Sequence, residues 1–156
     1  MYMGFFKNMN YINKSEEINV SHELIFGLIN NVGEYHKFLP WCSNSKIISD
    51  IKNKMSAEIE ISKNFINWKF STENTYDLNK KINIKLIDGP FNHLEGYWEF
   101  KKLDNYNTTV ELYLEYKFDS KIIELSIKPI FTKIMSSILD SFISEAFKRK
   151  GSSLNV

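Results

Sequence analysis

At 156 residues, with 43% hydrophobic and 15% aromatic side chains, the chain suits one ordered domain around a single core and excludes intrinsic disorder, with no need of a disulfide or metal staple. Its 20 basic and 19 acidic residues leave a net charge of +1, and the basic side is almost all Lys, Arg149 being the one arginine; beside abundant Asn and Ile this reads as the mark of an A+T-rich genome, and no DNA partner is expected. The single Cys42 rules out an internal disulfide and fits a reducing compartment.

In chain order, MYMGFFKNMNYINK places only a few apolar residues before Lys7 and Asn8, too few for a signal-peptide core, and no stretch approaches the ~20 apolar residues of a membrane span. A soluble cytoplasmic protein is expected, with an N-terminal extension over residues 1–9, one domain over 10–150 and a frayed tail over 151–156. NYINKSEEIN, with Tyr11, Ile12 and Ile18, reads as a first strand. Ser21 then supplies the oxygen that caps a helix in which Leu24, Ile25, Leu28, Ile29 and Val32 recur at helical spacing, with Glu23 at its positive end. Gly33 is the expected stop, and a second short helix around Glu34–Phe38 has to end before Pro40.

The period then changes from helical to two. In MSAEIEIS, Met55, Ala57, Ile59 and Ile61 alternate with polar residues, the pattern of a half-buried strand. The same alternation returns in NFINWKFST (Ile66, Trp68, Phe70), KKINIKLI (Ile82, Ile84, Leu86), LEGYWEFKKL and TTVELYLEYKF, where Val110, Leu112, Leu114, Tyr116 and Phe118 share a face. Short polar connections such as Asp50–Lys54 and Asp104–Thr108 allow consecutive strands to pair as hairpins, so an antiparallel meander of about six strands follows the two helices.

From Ile122 to Phe147 apolar residues come as pairs four apart: Ile130 and Phe131, Ile134 and Met135, Ile138 and Leu139, Phe142 and Ile143, Ala146 and Phe147. A four-residue step overshoots one turn by about 40°, so the stripe winds and is wider than one flat sheet needs. Pro129 either kinks this helix or starts its long segment. The sum is an α+β, helix-grip fold: a twisted antiparallel sheet of about seven strands curled around a long C-terminal helix, with space left between them.

YHKFLPWCSN crowds Phe38, Leu39, Pro40, Trp41 and Cys42 into one stretch, which serves either as a stiff aromatic gate to that space or as a plug closing the end of the core. Cys42 with His36 lacks the third and fourth ligands of a metal site, so a buried thiol is expected. Asp88, Gly89, Pro90 and Phe91 make a turn between strands, with Phe91 able to reach the lip of the cavity. Gly96 beside Trp98 marks a bulge or a close approach of backbone or ligand, with the bulge favoured. His22, His36 and His93 are scattered, and no nucleophile elbow, HExxH or phosphate loop accompanies them. His93 and Glu95 share a strand face but read as a solvated pair, so neither catalytic residues nor metal ligands are expected.

Three stretches, YHKFLPWC, DGPFNHLEGYWEF and the terminal helix opening with SKIIEL, together resemble the ribosome association toxin (RatA) and coenzyme Q-binding protein family, a START-like, polyketide-cyclase-related group. The resemblance runs from about Asn10 to Lys150 and implies a hydrophobic cavity between sheet and helix. For the coenzyme Q-binding branch it implies ubiquinone or another polyprenyl lipid as bound ligand, with no further cofactor, in support of respiration and without catalysis; peripheral membrane contact is compatible with such a ligand. For the other branch it implies binding to the large ribosomal subunit and a block on subunit joining. The cavity residues expected on this basis are Phe38, Leu39, Pro40, Trp41, Trp68, Phe91, Trp98, Met135, Ile138 and Phe142, and no polar anchor stands out among them.

Overall fold

The structure, a computed structural model, describes residues 9–154, so the proposed extension lies outside the described residues except for Met9. It contains seven strands, β1 (Asn10–Ile18), β2 (Cys42–Ile51), β3 (Lys54–Lys63), β4 (Ile66–Asp77), β5 (Lys81–Asp88), β6 (Phe91–Lys102) and β7 (Thr108–Phe118). Helix α1 (His22–Asn30) and a 3-10 helix (Val32–Lys37) follow β1, and α2 (Lys121–Leu154) closes the chain. All strand pairs are antiparallel in the order β1-β7-β6-β5-β4-β3-β2, so the meander is closed on one side by the N-terminal strand and left open along β1 and β2.

Local chemistry accounts for the boundaries. The Ser21 hydroxyl accepts from the Leu24 N–H at 3.3 Å, the expected cap. The helix ends at Asn30 rather than Gly33: the Asn31 N–H turns back to the Gly27 carbonyl at 3.2 Å, and Val32 and Gly33 belong to the 3-10 helix. The β2–β3 connection is also tighter than Asp50–Lys54. Asp50 and Ile51 remain in β2, and Lys52 and Asn53 turn the chain with φ of 53° and 62°, the left-handed geometry that matches the twist of a two-residue hairpin. Asn64 and Phe65 repeat that geometry between β3 and β4.

Alternation on β7 is complete: Thr108, Val110, Leu112, Leu114, Tyr116 and Phe118 are buried and the residues between them are half-exposed. Phe131, Ile134, Met135, Ile138, Leu139, Phe142, Ile143 and Ala146 of α2 are buried, while Phe147, the last apolar member of the winding stripe, is exposed. Lys14 of β1 donates to the Ser136 carbonyl, and Lys150 Nζ donates to the Asn19 carbonyl at 2.7 Å, pinning α2 to the sheet near its middle and near its end. The helix runs unbroken past Pro129 and on to Leu154, and the last two residues of the expected tail lie outside the described residues. Register shifts at Cys42/Asn44, Ile47/Ser49, Ser71/Thr72 and Phe91/His93 supply the bulges that bend such a sheet around a helix.

Gly96 is not one of them. It pairs in register with Ile84 and Leu114, and a Cβ there would stand 2.1 Å from the Tyr113 carbonyl oxygen, so the residue is glycine because β6 and β7 approach too closely for any side chain.

Candidate functional site

Between the inner face of the sheet and α2 lies a cavity of about 90 Å³. Val32, Tyr35 and Trp41 enter from the segment after α1, while Ile59, Phe70, Thr72, Asn74, Ile84, Leu94, Trp98, Leu112 and Leu114 form the sheet floor. Phe131, Met135, Ile138 and Phe142 form the helical roof. Every floor residue sits at an inward position of the two-residue repeat, and the roof residues are three or four apart on one helix face. Among the described residues no charged side chain lines the space.

Of the expected cavity residues, the fold brings together Trp41, Trp98, Met135, Ile138 and Phe142. Phe38, Leu39, Pro40, Trp68 and Phe91 do not line the cavity. Leu39 is fully buried in the core, and its N–H bonds to the Tyr35 carbonyl at 2.9 Å while its carbonyl accepts from Cys42, which turns Pro40 out to solvent. Phe38 lies half-buried outside the roof, its ring 5.9 Å from that of Phe142 and under the Arg149 guanidinium. Trp68 is buried near the far end of the β3–β4 hairpin, opposite Ile61. Phe91 sits in an aromatic cluster with Phe118 and Phe131, each 5.2 Å away, because α2 lays Phe131 over it. Of FLPWC, Leu39 and Cys42 are buried, Phe38 is half-buried, Pro40 is exposed, and Trp41 alone reaches the cavity wall.

The polar groups in the site escaped the motif reading. Asn74 is 6% exposed and its Oδ1 has no hydrogen-bond partner; the indole N–H of Trp41, on the wall, has none either. A buried polar atom left unpaired costs about 1–3 kcal/mol. The signal was present in the sequence, since Thr72 and Asn74 continue the inward positions begun by Ile66, Trp68 and Phe70. Tyr35 offers nothing further: its hydroxyl donates to the Ile29 carbonyl, and burial holds the phenol far above its ordinary pKa.

Cys42 is buried, its Sγ donating to the Asn44 carbonyl at 3.3 Å, and burial pushes the thiol pKa up. His36 Nδ1 lies 2.8 Å from Ser45 Oγ. On the outer face, His93 and Glu95 do share a side, but the carboxylate that meets His93 is Glu115 of β7, at 3.0 Å. The ligand atoms of these three lie within 4.8 Å of one another, and Tyr113 donates to the other Glu115 oxygen at 3.0 Å, so this half-exposed cluster is held by its own hydrogen bonds. Among the described residues no helix is long and apolar enough to cross a membrane.

A seven-stranded sheet gripping one long helix around an apolar cavity defines a class of binding folds, and the sequence carries the chain into it: the protein belongs to the polyketide cyclase / dehydrase and lipid transport family, matched over residues 18–143. It is 37% identical to the ribosome association toxin RatA of Vibrio cholerae over 138 residues, covering 88% of this chain and 96% of that protein. It is 29% identical to the mitochondrial coenzyme Q-binding protein COQ10 of Dictyostelium discoideum over 143 residues, covering 89% and 70%. Among solved structures it is similar to Zhui, a Streptomyces aromatase/cyclase, with a TM-score of 0.79 over 90% of this chain and 95% of that one. At 13% identity this last likeness shows the fold and carries no chemistry.

Proposed function

We propose that the protein is a non-enzymatic carrier that binds a polyprenyl quinone, ubiquinone or a close relative, between sheet and helix, in support of respiration. The observation that carries this reading is the cavity itself, walled by aromatic and aliphatic side chains with no charged residue among the described lining. The relation to a coenzyme Q-binding protein supports the choice of ligand. Each CH₂ removed from water contributes about 0.8 kcal/mol, so a few isoprene units suffice for micromolar affinity. At about 90 Å³ the space is smaller than the roughly 300–1,000 Å³ of ligand pockets, so the bound state is wider than this one. Met135, unbranched and adaptable, suits a roof that moves. The protein then works in the cytoplasm and touches a membrane only peripherally, to exchange its lipid.

Organic extraction of the purified protein followed by mass spectrometry tests this reading. A copurifying quinone, and a change in tryptophan fluorescence on adding ubiquinone, are expected because Trp41 and Trp98 stand on the cavity wall. Absence of both would remove it.

A second reading rests on the 37% identity to a ribosome association toxin: binding to the large ribosomal subunit through a Lys-bearing outer surface. It predicts cosedimentation with large subunits that weakens as salt rises, since phosphate contacts release counterions. No cosedimentation at low salt would exclude it.

A further inference from the structure

Resting on the lipid-binding reading, we propose that Asn74 anchors the head of the ligand, and that the head it selects carries a hydroxyl: a hydroquinone or phenol in preference to the oxidised quinone. Asn74 lies on the inner face of β4 between Met55 of β3 and Ile84 of β5, and neither neighbour offers a hydrogen bond from its side chain. Asn74 lines the cavity, and its Oδ1 is a buried acceptor without a partner. The Trp41 indole N–H, on the wall formed by the segment before β2, is a buried donor without a partner. An acceptor on the floor and a donor on the wall together match a head group that both gives and receives hydrogen bonds. An oxidised quinone ring has only acceptors, so it can take hydrogen bonds from the Trp41 indole and the Asn74 Nδ2 but leaves Asn74 Oδ1 without a partner, whereas a hydroquinone can accept from those donors and also donate to Oδ1. If packing alone set this position, an aliphatic residue would complete the floor, as Ile84 and Leu114 do beside it.

The test is equilibrium dialysis of decylubiquinol and decylubiquinone, under anaerobic conditions, against the full chain and against Asn74→Leu, which keeps the side-chain size and removes both polar atoms. Asn74→Ala serves as a second variant in case leucine overfills the floor, and circular dichroism verifies that each is folded. The full chain is expected to bind the quinol about tenfold more tightly than the quinone, and the variants to bind both forms alike. Equal binding of the two forms by the full chain, or a preference that survives in both variants, would overturn the inference while leaving quinone binding intact; it would mean that ordered water alone satisfies Asn74. Failure of the full chain to bind either form would instead overturn the lipid-binding reading, and this inference with it.

Discussion

Gly96 shows how one missing side chain holds two strands together. In Gly96→Ala the new methyl group would meet the Tyr113 carbonyl oxygen at 2.1 Å and Leu114 Cα at 2.8 Å, both backbone atoms that cannot move without opening the β6–β7 ladder. A loss of more than about 3 kcal/mol in urea unfolding, or failure to fold, is expected, against about 1 kcal/mol for an ordinary substitution. Phe142 and Trp41 offer a contrast within the cavity lining. Phe142 is 0% exposed and its ring meets Tyr35 at 5.0 Å, Trp98 at 5.6 Å and Phe38 at 5.9 Å, so Phe142→Ala should cost roughly 3–5 kcal/mol. Trp41 is 9% exposed, borders empty space on one side and buries an unpaired N–H, so Trp41→Ala should cost under about 2 kcal/mol while retained lipid falls several-fold. Equal stability losses from the two, with lipid content unchanged, would make Trp41 part of the plug.

At the scale of elements, α2 divides into unequal parts at Pro129. Before it, Ile122 and Leu125 are exposed and Ile127 is the only buried apolar side chain; after it, buried residues recur at every turn to Ala146. Pro129 lacks the N–H that would bond four residues back, so the opening turns are joined to the rest by one hydrogen bond fewer. Hydrogen exchange should therefore be fast over residues 121–128 and slow, near the global unfolding limit, over 131–146. Uniform protection along the helix would contradict this division. Strand β4 has a parallel asymmetry on its inner face, apolar at Trp68 and Phe70 and polar at Thr72 and Asn74, which places the hydrogen-bonding groups on one part of the cavity floor.

For the molecule as a whole, the cavity and the buried acids set how stability responds to ligand and pH. Ligand that binds only the folded state stabilises it by about 2.7 kcal/mol at a free concentration one hundred times Kd, so saturating quinol should raise Tm by roughly 5–10 °C. Burial raises the pKa of the Cys42 thiol and of the Tyr35 and Tyr116 phenols above 9.0 and 10.0, their ordinary values. The folded chain thus holds protons that the unfolded chain releases. This contribution is complete at neutral pH and is lost as pH climbs past the unfolded values. Urea midpoints should be flat in this respect near pH 7 and fall above about pH 9, and Tyr35→Phe should flatten that fall. Cys42 in the folded protein should react only slowly with a thiol reagent at neutral pH.

The sequence by itself determined the elements whose burial is regular. Alternation in β3, β5 and β7 named the inward face, and Ser21 marked where α1 begins, because a repeat of two or a capping oxygen acts through neighbours in the chain. Strand β2 was not legible in that way: its bulges at Cys42/Asn44 and Ile47/Ser49 break the alternation, and Ile47, Ile48 and Ile51 are exposed. The family was legible too, from FLPWC, DGPF and the Gly96–Trp98 pair, although of FLPWC only Trp41 lines the cavity. Only the tertiary structure decided which inward residues face the cavity. Phe91 and Trp98 lie on the same face of β6, yet Phe131 settles over Phe91 and fills its surroundings, whereas Trp98 is left at the edge of open space. The hydrophobic effect drives both rings inward without direction; where α2 crosses the sheet determines which of them is packed into an aromatic cluster and which lines the cavity.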